Sequence, residues 1–144
     1  MSLRRILVAT DRSETAELAV RFAADMAVRF EAELLLCQVV IPPAEAPPQA
    51  REDLTEYGRA FAGELARGVI STGEDPAQAI VDAAEAEDAD VVVVGNVGMS
   101  GRKEFLLGNV PNRVSHNSDR TVIIVNTRQR SEQAQKKKRG LFRR

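Results

Sequence analysis

The stretch Gly95-Asn96-Val97-Gly98, followed after nine residues by Gly108-Asn109, has the residue types and spacing needed to hold an anion. Glycines admit positive φ and close backbone approach, so successive N–H groups can face one concavity. Asn109 is placed to cap a helix beginning at Val110, whose N-terminus adds partial positive charge. Pro111 fits the first turn, where N–H groups lack helical partners anyway. Arg102 and Lys103 in the loop supply further charge. Thr10-Asp11, directly after the first apolar run, brings an acceptor carboxylate to a second strand end. In open α/β sheets, ligands sit beyond the carboxyl ends of strands, where the strand order reverses. Taken alone, the loop could equally be a long connection, and Asp11 a turn or capping residue.

Other chemistries lack their residues. Gly98-Met99-Ser100-Gly101 misses the spacing of a nucleophile elbow. The turn after the first strand has no glycine, so it is no dinucleotide fingerprint, and no Walker loop occurs. One His and one Cys leave a His/Cys zinc site without ligands. His116 falls near a helix end in a polar stretch, and Glu85, Glu87 and Asp88 form a solvated helix end. Cys37 sits within Leu34-Leu35-Leu36-Cys37 and reads as a buried structural thiol. No nucleophile–base pair is discernible, and the chain is expected not to be an enzyme.

The elements that must position these residues alternate between strand and helix. Arg5–Ala9 is a short apolar strand, and Ser13 caps a helix carrying Ala16, Leu18, Ala19, Phe22, Ala23, Met26 and Ala27 at helical spacing. A second strand follows over Glu33–Ile41, halted by Pro42-Pro43. A second helix is expected over Arg51–Arg67, with Leu54, Tyr57, Phe61 and Leu65 on one face, then a short strand at Val69-Ile70-Ser71. Asp75 caps a third helix with Pro76 at its first position. Val91–Val94, β-branched throughout, suits a strand covered on both faces. A short helix over about Val110–Asn117 and a strand over Thr121–Val125 complete the pattern. Such alternation implies βαβ units and a parallel sheet with helices on both faces.

Gly95-xx-Gly98-(nine residues)-Gly108 resembles the nucleotide-binding signature of universal stress proteins. The opening Ile6-Leu7-Val8-Ala9-Thr10-Asp11-Arg12-Ser13, the segment Asp75–Ile80, and Ala89–Gly95 are similar to that family too, so the resemblance spans residues 4 to about 126. It implies an open five-stranded parallel sheet of order 3-2-1-4-5, of the adenine nucleotide alpha hydrolase-like kind, and a homodimer through the last strand. It also implies an adenine nucleotide at the strand ends: ATP first, with AMP or cyclic AMP as alternatives, and Mg²⁺ or Mn²⁺ accompanying it. By position, Asp11 and Val39 would contact adenine and ribose, with Val39 acting through its backbone. Gly95, Gly98, Gly108 and Asn109 would hold ribose and phosphates. The run through Leu107-Gly108-Asn109-Val110-Pro111 also looks like members that prefer cyclic AMP. Two departures stand out: Asn109 replaces the usual Ser/Thr, and Arg12 stands where Gly is common. The function implied is a stress-response regulator or sensor; the rivals are a dimeric interaction module with a degenerate pocket and a slow ATPase.

The formal charge of −1 over 144 residues hides an asymmetry. Residues 128–144 carry eight Lys/Arg against Glu132 alone, while the rest is acidic. The expected organisation is one domain over 1–127 and a disordered basic tail over 128–144, whose Leu141 and Phe142 would suit an anionic membrane surface or nucleic acid. With no long apolar span and no leader pattern, the chain is expected in the cytoplasm.

Overall fold

Alternation of side chains about a strand lets one short sheet feed two cores, and this chain uses both. The structure, a computed structural model, describes residues 2–96 and 109–127. Strands β1 (Arg5–Ala9), β2 (Glu33–Val40), β3 (Ala66–Thr72), β4 (Val91–Gly95) and β5 (Thr121–Val125) form one parallel sheet of order β3-β2-β1-β4-β5. Helices α1 (Glu14–Phe30), α2 (Ala50–Ala62), α3 (Pro76–Ala86) and α4 (Val110–Asn117) lie between them. The expected fold class and strand order are therefore those observed.

Ile6, Val8, Leu34, Leu36, Val91 and Val93 point to one face and pack with Ala19, Val20 and Ala23 of α1 and Leu54 of α2. Their neighbours Leu7, Ala9, Leu35, Cys37, Val92 and Val94 point to the other, against Ile80 and Ala83 of α3 and Val110 and Val114 of α4. Small alanines on α1 and α3 let both helices sit close to the central strands, which are buried on both faces. Burial also pushes the Cys37 thiol up to about 12, with Glu87 adding to the effect.

The second helix and third strand differ from the sequence expectation. The helix ends at Ala62, a 3₁₀ turn covers Gly63–Leu65, and Arg67 already belongs to β3. Gly63 adopts φ +56°, which stops the helix although the apolar spacing continues through Leu65. β3 then runs seven residues rather than three. Gly68 allows it to pass under α2: a Cβ there would lie 2.6 Å from the Arg51 carbonyl oxygen. The Gly68 N–H donates instead to Thr55 Oγ1 at 2.8 Å.

Candidate functional site

At the carboxyl edge of the sheet, β1 makes its last rung through the Thr10 N–H, which donates to the Cys37 carbonyl at 2.9 Å. The chain then turns on its own side chains. Arg12 N–H donates to Thr10 Oγ1 (2.9 Å), Ser13 N–H to Asp11 Oδ1 (3.0 Å), and Ala16 N–H to Ser13 Oγ (3.2 Å), which starts α1. Arg12 takes φ +66°, the left-handed region that favours glycine. This turn consumes one oxygen of Asp11. The other, Oδ2, is buried without a hydrogen-bond partner among the described residues. A buried carboxylate oxygen left so is costly, and as an acceptor it suits a hydroxyl or amine donor rather than a phosphate.

Two further expected residues, Val39 and Gly95, lie at the same carboxyl ends of the strands. Odd-numbered residues of β2 bond towards β1, as Glu33 N–H to Arg4 O and Cys37 O from Thr10 N–H show; Val40, by contrast, bonds Gly73 on the β3 side. Val39 therefore directs its N–H and C=O to the side where β1 has already turned away. Gly95 ends β4, and Asn96 is fixed beside it: its N–H donates to the Val125 carbonyl (2.9 Å) and its Oδ1 accepts from Thr127 N–H (3.0 Å). β1 and β4 diverge here, one leading to α1 on the first face and the other towards α4 on the second, so this is the switch point of the sheet.

Asn109 corrects one expectation. It occupies the cap position of α4 in a left-handed conformation (φ 46°, ψ 49°), yet its side chain caps no backbone N–H. Its Oδ1 accepts from Asn112 Nδ2 at 3.0 Å, because the left-handed backbone turns the amide along the helix surface. Gly98, Gly108, Arg102, Lys103 and the tail over 128–144 lie outside the described residues. His116 is exposed on α4.

Two features of this edge escaped sequence reasoning. The Arg12 guanidinium lies over the Tyr57 ring, 4.6 Å from its centroid; Tyr57 meets Phe61 edge-on at 5.2 Å, and Arg21 covers Phe61 at 5.2 Å. Helical spacing put Tyr57 on the inner face of α2, but nothing in it paired residue 57 with residue 12. Burial, then the Glu17 carboxylate, holds the Tyr57 phenol above its ordinary range. Its hydroxyl is buried with no partner among the described residues. The second feature is Asp75, whose Oδ1 accepts from Ala77 N–H (3.2 Å) and from Arg113 Nη1 (2.8 Å), while Arg113 Nη2 donates to Oδ2. This pair ties the start of α3 to the first turns of α4 and lowers the Asp75 pKa. Among the described residues, no three His, Cys, Asp or Glu side chains converge to hold a metal, and no helix is long and apolar enough to cross a membrane.

The parallel sheet of order β3-β2-β1-β4-β5, with a carboxylate oxygen at its switch point that is buried without a partner among the described residues, defines a doubly wound α/β protein. The pattern of the universal stress protein family matches residues 2–126, and the chain belongs to that family. Universal stress protein Rv1636 of Mycobacterium tuberculosis is 30% identical over 142 residues, which covers 86% of this chain and 97% of that protein. Universal stress protein MJ0531 of Methanocaldococcus jannaschii is 28% identical over 144 residues, 85% of this chain and 81% of that one. Among solved structures, a universal stress protein in complex with cAMP superposes with a TM-score of 0.70 at 28% identity, covering 88% of this chain and 99% of the other.

Proposed function

We propose that this protein binds an adenine nucleotide at the carboxyl edge between β1 and β4, and acts through its bound state as a stress-response regulator. The observation that carries the reading is Oδ2 of Asp11 at the switch point, buried without a partner among the described residues. The carboxylate would accept from a ribose hydroxyl or the adenine amine, and the backbone of Val39 offers a donor and an acceptor beside it. ATP is the first candidate ligand. The 28% identical structure solved with cAMP favours cyclic AMP as a second reading. Any Mg²⁺ or Mn²⁺ would arrive with the phosphates.

The reading is of a binding protein rather than a catalyst. The one cysteine is buried with its thiol pushed up to about 12, and the one histidine is exposed on α4, so neither supplies a nucleophile–base pair. A homodimer through β5 accords with its place at the sheet edge and with Ile124, 40% exposed.

Calorimetric titration with ATP, AMP and cyclic AMP, with and without Mg²⁺, tests the assignment, and sedimentation of the same sample reads the dimer. ATP binding strengthened by Mg²⁺ supports the first reading, and preference for cyclic AMP the second. Absence of heat with all three nucleotides would leave an interaction module with an empty pocket as the better account.

A further inference from the structure

Arg12 is an unusual neighbour for Asp11. An L-residue other than Asn, Asp or Gly is strained at φ +66°, so surrounding contacts must hold it there. Its backbone N–H is fixed to Thr10 Oγ1, and its guanidinium is fixed to the face of Tyr57. Tyr57 is in turn braced by Phe61, and Phe61 by Arg21, which pairs with Glu17 at 3.1 Å on α1. A chain of ring and cation contacts therefore runs from α2 to the residue that follows Asp11. The next N–H along, that of Ser13, donates to Asp11 Oδ1 and so sets where Oδ2 points.

We propose that Tyr57 is a positioning residue for the nucleotide site, acting through the guanidinium of Arg12 to fix the turn that aims Asp11. The proposal rests on the nucleotide-binding reading for its effect on affinity, but not for the coupling itself. It accounts for the tolerance of arginine at a left-handed position: the stack on Tyr57 offsets the backbone strain that glycine would avoid. Because Tyr57 is the chain's only tyrosine and there is no tryptophan, its emission reports this contact without labelling.

The experiment is a double-mutant cycle with two readouts. Nucleotide affinity is measured for wild type, Tyr57→Leu, Arg12→Gly and the double variant, with Tyr57→Phe as the conservative control. Tyr57→Leu should weaken binding about three- to tenfold, the scale of one partly exposed cation–π contact. Tyr57→Phe should restore it, and in the Arg12→Gly background Tyr57→Leu should change nothing further. The second readout is hydrogen exchange of the Ser13 amide in nucleotide-free protein. Tyr57→Leu should speed it only when Arg12 is present. Equal effects of Tyr57→Leu with and without Arg12, on either readout, would overturn the proposal and make Tyr57 a packing residue alone. If wild type binds no nucleotide, the function reading fails, while Ser13 exchange still decides the coupling. Far-ultraviolet circular dichroism of each variant confirms that it is folded.

Discussion

The two edges of the sheet handle polar groups in opposite ways. At the amino edge, charges are paired in strand order. Arg67 on β3 donates to Glu33 on β2 (3.0 Å) and to Glu87 (2.8 Å); Glu33 faces Arg5 on β1 (3.7 Å); Arg5 reaches Asp88 (3.9 Å). Asp90 accepts the N–H groups of Arg4 and Arg5 at 2.8 and 3.0 Å, and Arg120, next to β5, donates to the Ala89 carbonyl (3.0 Å) and Asp88 (3.3 Å). Even Arg120 Nε, which lacks a hydrogen bond, lies 3.5 Å from Asp119 Oδ1. At the carboxyl edge, Asp11 Oδ2 and the Tyr57 hydroxyl are buried without partners among the described residues, and Arg12 is strained. A buried polar atom left unpaired costs about 1–3 kcal/mol. The amino edge satisfies its charges internally. On the proposed reading, the carboxyl edge forgoes that stability and keeps hydrogen-bonding capacity for the nucleotide.

The largest disturbance should come from Gly68→Val, which belongs to neither edge but holds α2 down on β3. Its new Cβ would meet the Arg51 carbonyl, and stability should fall by about 3 kcal/mol in urea unfolding. Since α2 carries Tyr57, nucleotide binding should weaken in the fraction that remains folded. An unchanged urea midpoint would show that α2 is free to retreat.

Asp11→Ala sharpens the contrast. Affinity for the adenine nucleotide should drop about ten- to a hundredfold, the scale of a hydrogen bond to a charged group. The thermal midpoint should change little, because loss of the Ser13 N–H bond to Oδ1 is offset by removal of an oxygen buried without a partner among the described residues. A destabilised variant with unchanged affinity would reverse the roles assigned to this edge.

Arg67→Met, at the other edge, should leave nucleotide affinity intact and lower stability by about 1 kcal/mol at neutral pH. Its hydrogen bond to Glu87 is the main reason that the Glu87 pKa lies below the ordinary glutamate range. A depressed folded pKa contributes stability that is fully present above the unfolded value, about pH 4.3, and lost as pH falls through the folded one. The gap between wild type and variant should therefore be full at pH 7 and close in acid. A gap of equal size at pH 3 would mean that the loss is one of packing.

Element order, both faces of the sheet and the position of Asp11 were legible in the sequence, because apolar period and capping residues are local signals. Ser13 and Asp75 cap as their types suggest. The end of α2 was not legible, since Leu65 prolongs the apolar spacing past the left-handed Gly63. β3 was underestimated because it is an edge strand with a half-exposed sequence, and Gly68, needed for close approach, reads locally as a breaker. Asn109 has the right type for a cap but the wrong backbone for it. The Arg12–Tyr57 contact joins residues far apart in the chain, which no periodicity can announce.

The position of β1 has a consequence for how the chain is made. Of the five strands in this sheet β1 is synthesised first, yet its second neighbour, β4, follows 85 residues later, as the Arg5–Asp90 bond shows. At roughly 5–20 residues per second, one side of the central strand emerges on the order of 4 to 17 seconds before its partner exists. During that interval Ile6, Leu7 and Val8 form an open, apolar strand edge, the kind that recruits foreign strands. The strand buried on both faces of the folded protein is thus the one that waits longest for its second neighbour.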